Sequence, residues 1–118
     1  MTTERHVLLI DLVDDAEAIA RYEAWHADGA LPPEIGDSIR TAGIVAMDIY
    51  RSGNRLVMVM ETDASFDPAR KAAADAANPA VLAWERRMDS VQRPLPWAAP
   101  GAKWTSSIHI FSLADQKR

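Results

Sequence analysis

Four apolar, β-rich runs alternate with helical segments along this chain, and their order constrains the fold more strongly than any other feature of the sequence. The runs cover residues 6–13, 44–50, 56–62 and 104–113, and helical periodicity fills the stretches after the first run and after the third. The order β, α, β, β, α, β predicts a ferredoxin-like α+β fold, in which helices cover one face of a four-stranded antiparallel sheet.

Capping residues and prolines predict where the helices begin. The pair Asp14-Asp15 and the residue Asp67 are of the N-cap type, and Pro33, Pro68 and Pro79 each suit the first turn of a helix. The Asn-Pro pair at 78–79 also interrupts the last helical stretch, which then restarts. The sequence therefore predicts helices over 16–28, 33–42, from 68 to that pair, and from 79 to 91. The segment 51–55 has the length and the glycine of a hairpin turn.

A single domain over residues 1–118 can bury one core, but this plan leaves the second face of its sheet bare. The β-rich runs are largely apolar on both sides, so much of that face would be apolar and a partner should cover it. The simplest partner is a second copy around a two-fold axis. We therefore expect a homodimer of the dimeric α/β-barrel kind.

Composition and charge exclude several functional classes. The chain has no cysteine, which rules out disulfides and thiolate metal sites and fits a reducing compartment. Its net charge of -4, with both signs interspersed, argues against a nucleic-acid partner and a polybasic membrane patch. No apolar stretch approaches the ~20 residues of a membrane span, and the first residues lack the apolar region of a signal peptide. These features predict a soluble, cytoplasmic protein.

One pair of side chains could carry acid/base chemistry. Tyr22 and His26 are four residues apart, so both lie on one face of the first predicted helix, together with Ile19. An imidazole with an unperturbed pKa of ~6.5 can give or take a proton at neutral pH, and a phenol beside it can bind a hydroxyl. From the spacing alone, however, the more common outcome for such a pair is a half-buried packing pair with satisfied polar tips.

Other polar and aromatic residues give weaker signals. The three histidines lack the spacing of a metal site, so no metal is expected. Four tryptophans suit either a platform for a sugar ring or ordinary core and dimer contacts: Trp25, Trp84, Trp97 and Trp104. Four carboxylates could line a pocket or lie on a solvated face: Asp11, Asp48, Glu61 and Glu85.

Several segments, taken together, resemble the L-rhamnose mutarotase family. Their order and spacing match over nearly the whole chain: Arg21-Tyr-Glu-Ala-Trp-His26, Pro33-Glu34, Gly43 to Tyr50, Trp84 to Met88 and Ile110-Phe-Ser-Leu113. Within that family, the segments 71–79, 92–96 and 103–104 look like a branch of L-fucose mutarotases. The resemblance implies a dimeric, cofactor-free isomerase that interconverts the α and β anomers of a 6-deoxy sugar.

The resemblance also implies roles for particular residues. The family's catalytic histidine falls on His26 and its substrate-binding tyrosine on Tyr22. Further substrate-binding positions fall on Met47, where the family has a second tyrosine, and on Trp84-Glu85, where it has a Trp-Trp pair. These departures remove one hydroxyl and one aromatic face, which should change the sugar that fits and makes L-rhamnose a weaker candidate. The resemblance to the L-fucose branch implies that L-fucose is favoured and L-rhamnose comes next.

Mutarotation requires a proton on the ring oxygen while the anomeric hydroxyl loses one, and no electrons are transferred. We expect His26 to exchange a proton with the sugar, Tyr22 to orient a hydroxyl, and Glu85 or a water to handle the second proton. Two other functions remain compatible with the sequence. One is a cofactor-independent oxygenase acting on an apolar aromatic substrate in the same fold, and the other is a non-catalytic dimeric ligand-binding module.

Overall fold

The computed structural model describes residues 2–117 and contains an antiparallel sheet with four α-helices. The strands and helices have the following bounds in chain order: β1 Glu4–Leu12, α1 Ala16–Trp25, α2 Pro33–Thr41, β2 Ile44–Ser52, β3 Arg55–Thr62, α3 Pro68–Ala76, α4 Pro79–Asp89, β4 Gln92–Arg93 and β5 Thr105–Ser106. A short 3₁₀ turn follows at Leu113–Asp115. None of the helices described is long and apolar enough to cross a membrane.

The sheet has the strand order β2-β3-β1, and both β4 and β5 pair with the far edge of β1. All of these pairs are antiparallel. The fourth position of the sheet is thus shared by two short strands, which the segment 94–104 separates. This topology confirms the predicted ferredoxin-like α+β fold.

The predicted capping pattern is present in the structure. The carboxylate of Asp15 accepts a hydrogen bond from the Ala18 backbone N–H, and that of Asp67 accepts one from the Ala69 N–H. The side chain of Asn78 caps α4 in the same way, with Pro79 in the first turn. These local side-chain bonds satisfy backbone donors that a helix start leaves free, which is why the helix starts were predictable.

The prediction of a long final strand over 104–113 was wrong. Only Thr105 and Ser106 pair with β1, and the Ser107 N–H then donates to the Val7 carbonyl oxygen. Beyond this bond, the apolar side chains of the terminal segment are exposed, with Ile108 at 86% and Ile110 at 90% of their full area. The edge of β1 continues to Glu4, but the chain leaves it after Ser107. Whether an apolar run pairs with a neighbouring edge is decided by tertiary context, which the local sequence does not show.

The two faces of the sheet differ in what covers them. On the helix-covered face, Ile10, Leu12 and Leu56 are almost fully buried against α1 and α4. The open face follows from strand alternation and register, and its middle carries half-buried apolar side chains: Val7, Leu9, Val57 and Val59. Ion pairs lie at its two ends, Asp11 with Arg55 and Arg5 with Glu61.

Candidate active site

The C-terminal end of α1 holds the two residues singled out from the sequence. The His26 backbone N–H donates to the Glu23 carbonyl at 3.2 Å, three residues back, so the Tyr22 carbonyl receives no α-helical bond from it. Instead, Nδ1 of the His26 side chain lies 2.7 Å from the Tyr22 carbonyl oxygen. This exchange of donors ends α1 at Trp25, so the helix predicted to reach residue 28 is three residues shorter.

Tyr22 is anchored in the core. Its side chain is 3% exposed and packs with Ile10, Leu56 and Met88. Burial raises the pKa of its phenol to about 12, and the nearby Gln92 side chain partly opposes this change. Tyr22 therefore keeps its proton at neutral pH, and the phenol can act as a hydrogen-bond donor but not as a base.

The His26 ring is packed between two aromatic side chains. It stacks on Tyr22 with centroids 4.1 Å apart, and Trp84 from α4 approaches it edge-on at 5.3 Å. Burial lowers the pKa of His26 below its ordinary value of 6.5, against the effect of the Tyr22 carbonyl. A carbonyl oxygen can only accept, so Nδ1 must carry a proton. In the neutral imidazole, Nε2 is then left with the lone pair that a base needs.

A guanidinium and a second indole extend this aromatic contact, and the sequence did not predict that they would lie there. The guanidinium of Arg87 lies 5.3 Å from the centroid of Trp84 and 5.6 Å from that of Trp25. Trp84 and Arg87 are three residues apart on α4 and so share a face, which was the available signal in the sequence. The approach of Trp25 from α1 depends on the packing of two helices and left no local signal.

Glu85 follows Trp84 in the chain, but its carboxylate is engaged elsewhere. Oε2 of Glu85 and Oδ1 of Asp89 each lie 2.7 Å from the Lys103 ammonium. Burial lowers the pKa of the Lys103 ammonium, but its hydrogen bonds to Asp89 and Glu85 outweigh this effect and raise the pKa above 10.5. These ion pairs connect the segment 94–104 to α4 and hold the Glu85 charge beside a cation.

Met47 lies on β2, opposite Met60, on the helix-covered face. It lines a cavity of about 240 Å³ whose other walls are mostly apolar: Leu31, Gly36, Ile39, Arg40, Ile44, Val45 and Ala46. The structure thus brings Tyr22, His26 and Trp84 into direct contact, while Met47 lines this separate cavity and Glu85 faces Lys103.

The remaining candidates lie apart from the Tyr22–His26 pair. Nε2 of His6 is 3.0 Å from the Thr62 hydroxyl, and His109 is exposed in the terminal segment. Trp97 packs on Arg55, which alternation places on the open face of the sheet. Within residues 2–117, no three carboxylate or imidazole side chains are grouped closely enough to hold a metal ion.

Comparison with known proteins gives concordant results. Residues 5–113 match the family model for L-rhamnose mutarotase. The chain is 45% identical over 115 residues to the L-fucose mutarotase of Xanthomonas campestris pv. campestris, covering 98% of this chain and 92% of that protein.

Two solved structures share the fold. An L-rhamnose mutarotase from Formosa agariphila superimposes with a TM-score of 0.65 at 20% identity, over 93% of this chain and 98% of the other. Tetracenomycin F2 cyclase from Streptomyces glaucescens, a polyketide cyclase, superimposes with a TM-score of 0.51 at 18% identity, over 92% and 97%. At these identities the two structures establish the shared fold alone.

Proposed function

The chain belongs to the L-rhamnose mutarotase family, and we propose that it interconverts the α and β anomers of a 6-deoxy sugar with His26 as the proton-transferring group. Its reaction is therefore an isomerisation, in which the ring opens and closes again.

The arrangement that carries the proposal is the imidazole with its Nδ1 proton committed to the Tyr22 carbonyl. Nε2 then accepts the proton of the anomeric hydroxyl as the bond between C1 and the ring oxygen breaks. The ring oxygen takes a proton from a second donor, for which our candidates are a water and Glu85 in its protonated form, released from Lys103. After rotation at C1, reclosure returns both protons, so atoms and charge balance without a redox cofactor.

The neighbours of His26 suit this role. Burial lowers its pKa, so the imidazole is mostly neutral near pH 7 and is ready to act as a base first. The Tyr22 phenol retains its proton and can donate to a sugar hydroxyl. We propose Tyr22, Met47, Trp84 and Glu85 as substrate-binding residues, with the Trp84 ring offering an apolar face to the sugar.

We propose L-fucose as the preferred sugar and L-rhamnose as the second. The support is the relative named L-fucose mutarotase, which covers 98% of this chain at 45% identity. The methionine at position 47 and the glutamate at position 85 supply neither the phenol nor the second indole of the rhamnose pattern.

The central test is the rate of anomer exchange, measured by saturation-transfer NMR on L-fucose, L-rhamnose and common hexoses. We expect exchange above the uncatalysed rate, fastest for L-fucose, and a loss of about 10²–10⁴-fold in His26→Ala. His109→Ala is the matched control, because it removes an exposed histidine remote from Tyr22. Unchanged exchange in His26→Ala would exclude His26 as the catalyst. Sugar binding without faster exchange would indicate a binding module.

A homodimer is also part of the proposal. The open sheet face carries half-buried valines and a leucine, and the exposed apolar side chains of the terminal segment lie near its β1 edge. A second copy would cover both surfaces. Light scattering after gel filtration should give a mass of twice the 13.0 kDa of one chain. In Val57→Asp the measured mass should fall to that of a single chain. A monomeric wild-type protein would contradict the proposed homodimer.

We also propose that the protein is cytoplasmic, which cell fractionation can check.

A further inference from the structure

The contacts around His26 extend to two residues that the proposed reaction does not use, Arg87 and Trp25. Tyr22, His26, Trp84, Arg87 and Trp25 form one uninterrupted series, in which each planar group contacts the next. We call these five side chains the planar stack. Three come from the end of α1 and two from α4, so the stack joins the two helices on either side of the imidazole.

Arg87 lies between the two indoles of the planar stack, Trp84 and Trp25. Its guanidinium lies within 6 Å of the centroids of both indoles, the range in which a cation is attracted to an aromatic face. Among the ion pairs and side-chain hydrogen bonds found within residues 2–117, none involves the Arg87 guanidinium, although the Arg87 backbone carbonyl accepts a hydrogen bond from the Ser90 hydroxyl. The indoles are therefore its partners, although the side chain is on the surface.

Holding Trp84 has a direct consequence for the imidazole. The His26 ring rests on Tyr22 from one side, and Tyr22 is fixed in the core. The other contact is the edge of Trp84, whose ring is held in turn by Arg87. Without that hold, the Trp84 indole could change rotamer, and the imidazole would lose one of the two surfaces that fix its plane.

We propose that Arg87 is a positioning residue for the reaction, which holds Trp84 against His26 and so keeps Nε2 aimed at the substrate. This inference rests on the proposed role of His26 and adds a residue that the family resemblance did not assign. A misplacement of a reacting group by about 1 Å can reduce a rate by about 10²-fold, so a loose imidazole should be visible in the turnover rate.

The test compares three variants of the full-length protein. Arg87→Ala removes the cation and the side-chain stem, and Arg87→Lys keeps a charge but loses the planar group that lies on both indoles. Arg86→Ala is the matched control, because Arg86 is the adjacent exposed arginine in the last turn of α4. Two properties are measured: the NMR signal of the His26 Cε1 proton, and kcat and KM for anomer exchange.

In Arg87→Ala we expect the His26 signal to move toward that of an unstructured peptide, because it loses the ring current of Trp84. The kcat should fall by about tenfold or more with a smaller change in KM, and Arg87→Lys should recover only part of this loss. Arg86→Ala should resemble the wild type in both measurements. An unmoved His26 signal in Arg87→Ala and Arg87→Lys would overturn the inference.

The two readouts separate this inference from the proposed function. If the wild-type protein does not accelerate anomer exchange, the proposed function fails, but the His26 signal still reports whether Arg87 orders the ring. If Arg87→Ala does not fold, Arg87→Lys gives the same comparison with a side chain of similar length. A shifted signal with unchanged kcat would also overturn the positioning role.

Discussion

His26 donates a hydrogen bond from its side-chain Nδ1 to the carbonyl oxygen of Tyr22, the residue one helical turn before it. The same carbonyl would normally accept the His26 backbone N–H, which is turned instead to Glu23. One residue therefore ends the helix, satisfies a carbonyl that this ending leaves free and fixes its own tautomer.

The rate of anomer exchange should depend on the neutral form of His26. Because burial lowers its pKa below 6.5, kcat/KM should rise with pH, pass its inflection below 6.5 and be level near neutrality. An NMR titration of the His26 Cε1 proton should give the same midpoint. An inflection above pH 7 would contradict the assignment of His26 as the base.

The same shift predicts how stability depends on pH in the acid range. The folded protein binds the His26 proton less readily than the unfolded chain does, because the folded pKa is the lower one. The contribution of His26 to stability is thus complete above pH 6.5 and decreases as the pH falls through the folded pKa. His26→Gln should lose this dependence, as urea unfolding at a series of pH values can measure.

Tyr22 should make the protein sensitive to alkali. Its folded pKa of about 12 exceeds the ordinary value of 10.0, so the folded state keeps a proton that the unfolded chain has already released. Stability due to this group is complete below pH 10 and declines between 10 and about 12, by a total on the order of 2–3 kcal/mol. Urea unfolding of Tyr22→Phe should show a weaker decline. Tyr50→Phe, which removes the hydroxyl of an exposed tyrosine, is the matched control.

Glu85 and Asp89 offer a matched pair for testing the second proton-transfer group. Each carboxylate lies 2.7 Å from Lys103, so Glu85→Gln and Asp89→Asn each remove one of two equivalent ion pairs. If Glu85 supplies a proton or binds the sugar, only Glu85→Gln should reduce the exchange rate, by about tenfold or more. Equal rates in both variants would assign Glu85 to anchoring Lys103, with a water as the second group.

Position 47 should influence the choice of sugar. Met47→Tyr restores the phenol that the rhamnose pattern has there, and it should increase exchange of L-rhamnose relative to L-fucose by about tenfold, the effect of one added hydrogen bond. Met47→Leu, which keeps an apolar side chain of similar volume, should leave the ratio of the two rates unchanged. The same ratio in all three proteins would show that Met47 does not contact the sugar.

The parts of this fold that could be predicted from the sequence depend on short-range bonds. Asp15, Asp67 and Asn78 cap their helices through atoms two or three residues away, and the hairpin turn is equally local. The end of α1 was misjudged because the donor that ends it is a side chain, and the final strand was too long because edge pairing is tertiary. In the site, Tyr22 and His26 are one helical turn apart at the C-terminal end of α1 and were predicted to lie on one face, whereas the Arg87 contact with Trp25 required two helices to be placed.

The divided fourth position of the sheet has a consequence for how this protein can change over evolution. The segment 94–104 leaves β1 after β4 and returns to the same strand at β5, so its length is not tied to the register of the sheet. Residues can be added or removed there at a small entropic cost, which grows slowly with loop length. Lys103 in this segment binds Glu85, which we propose contacts the sugar, so insertions in this one loop are a route to new sugar preferences that leaves the sheet register unaltered.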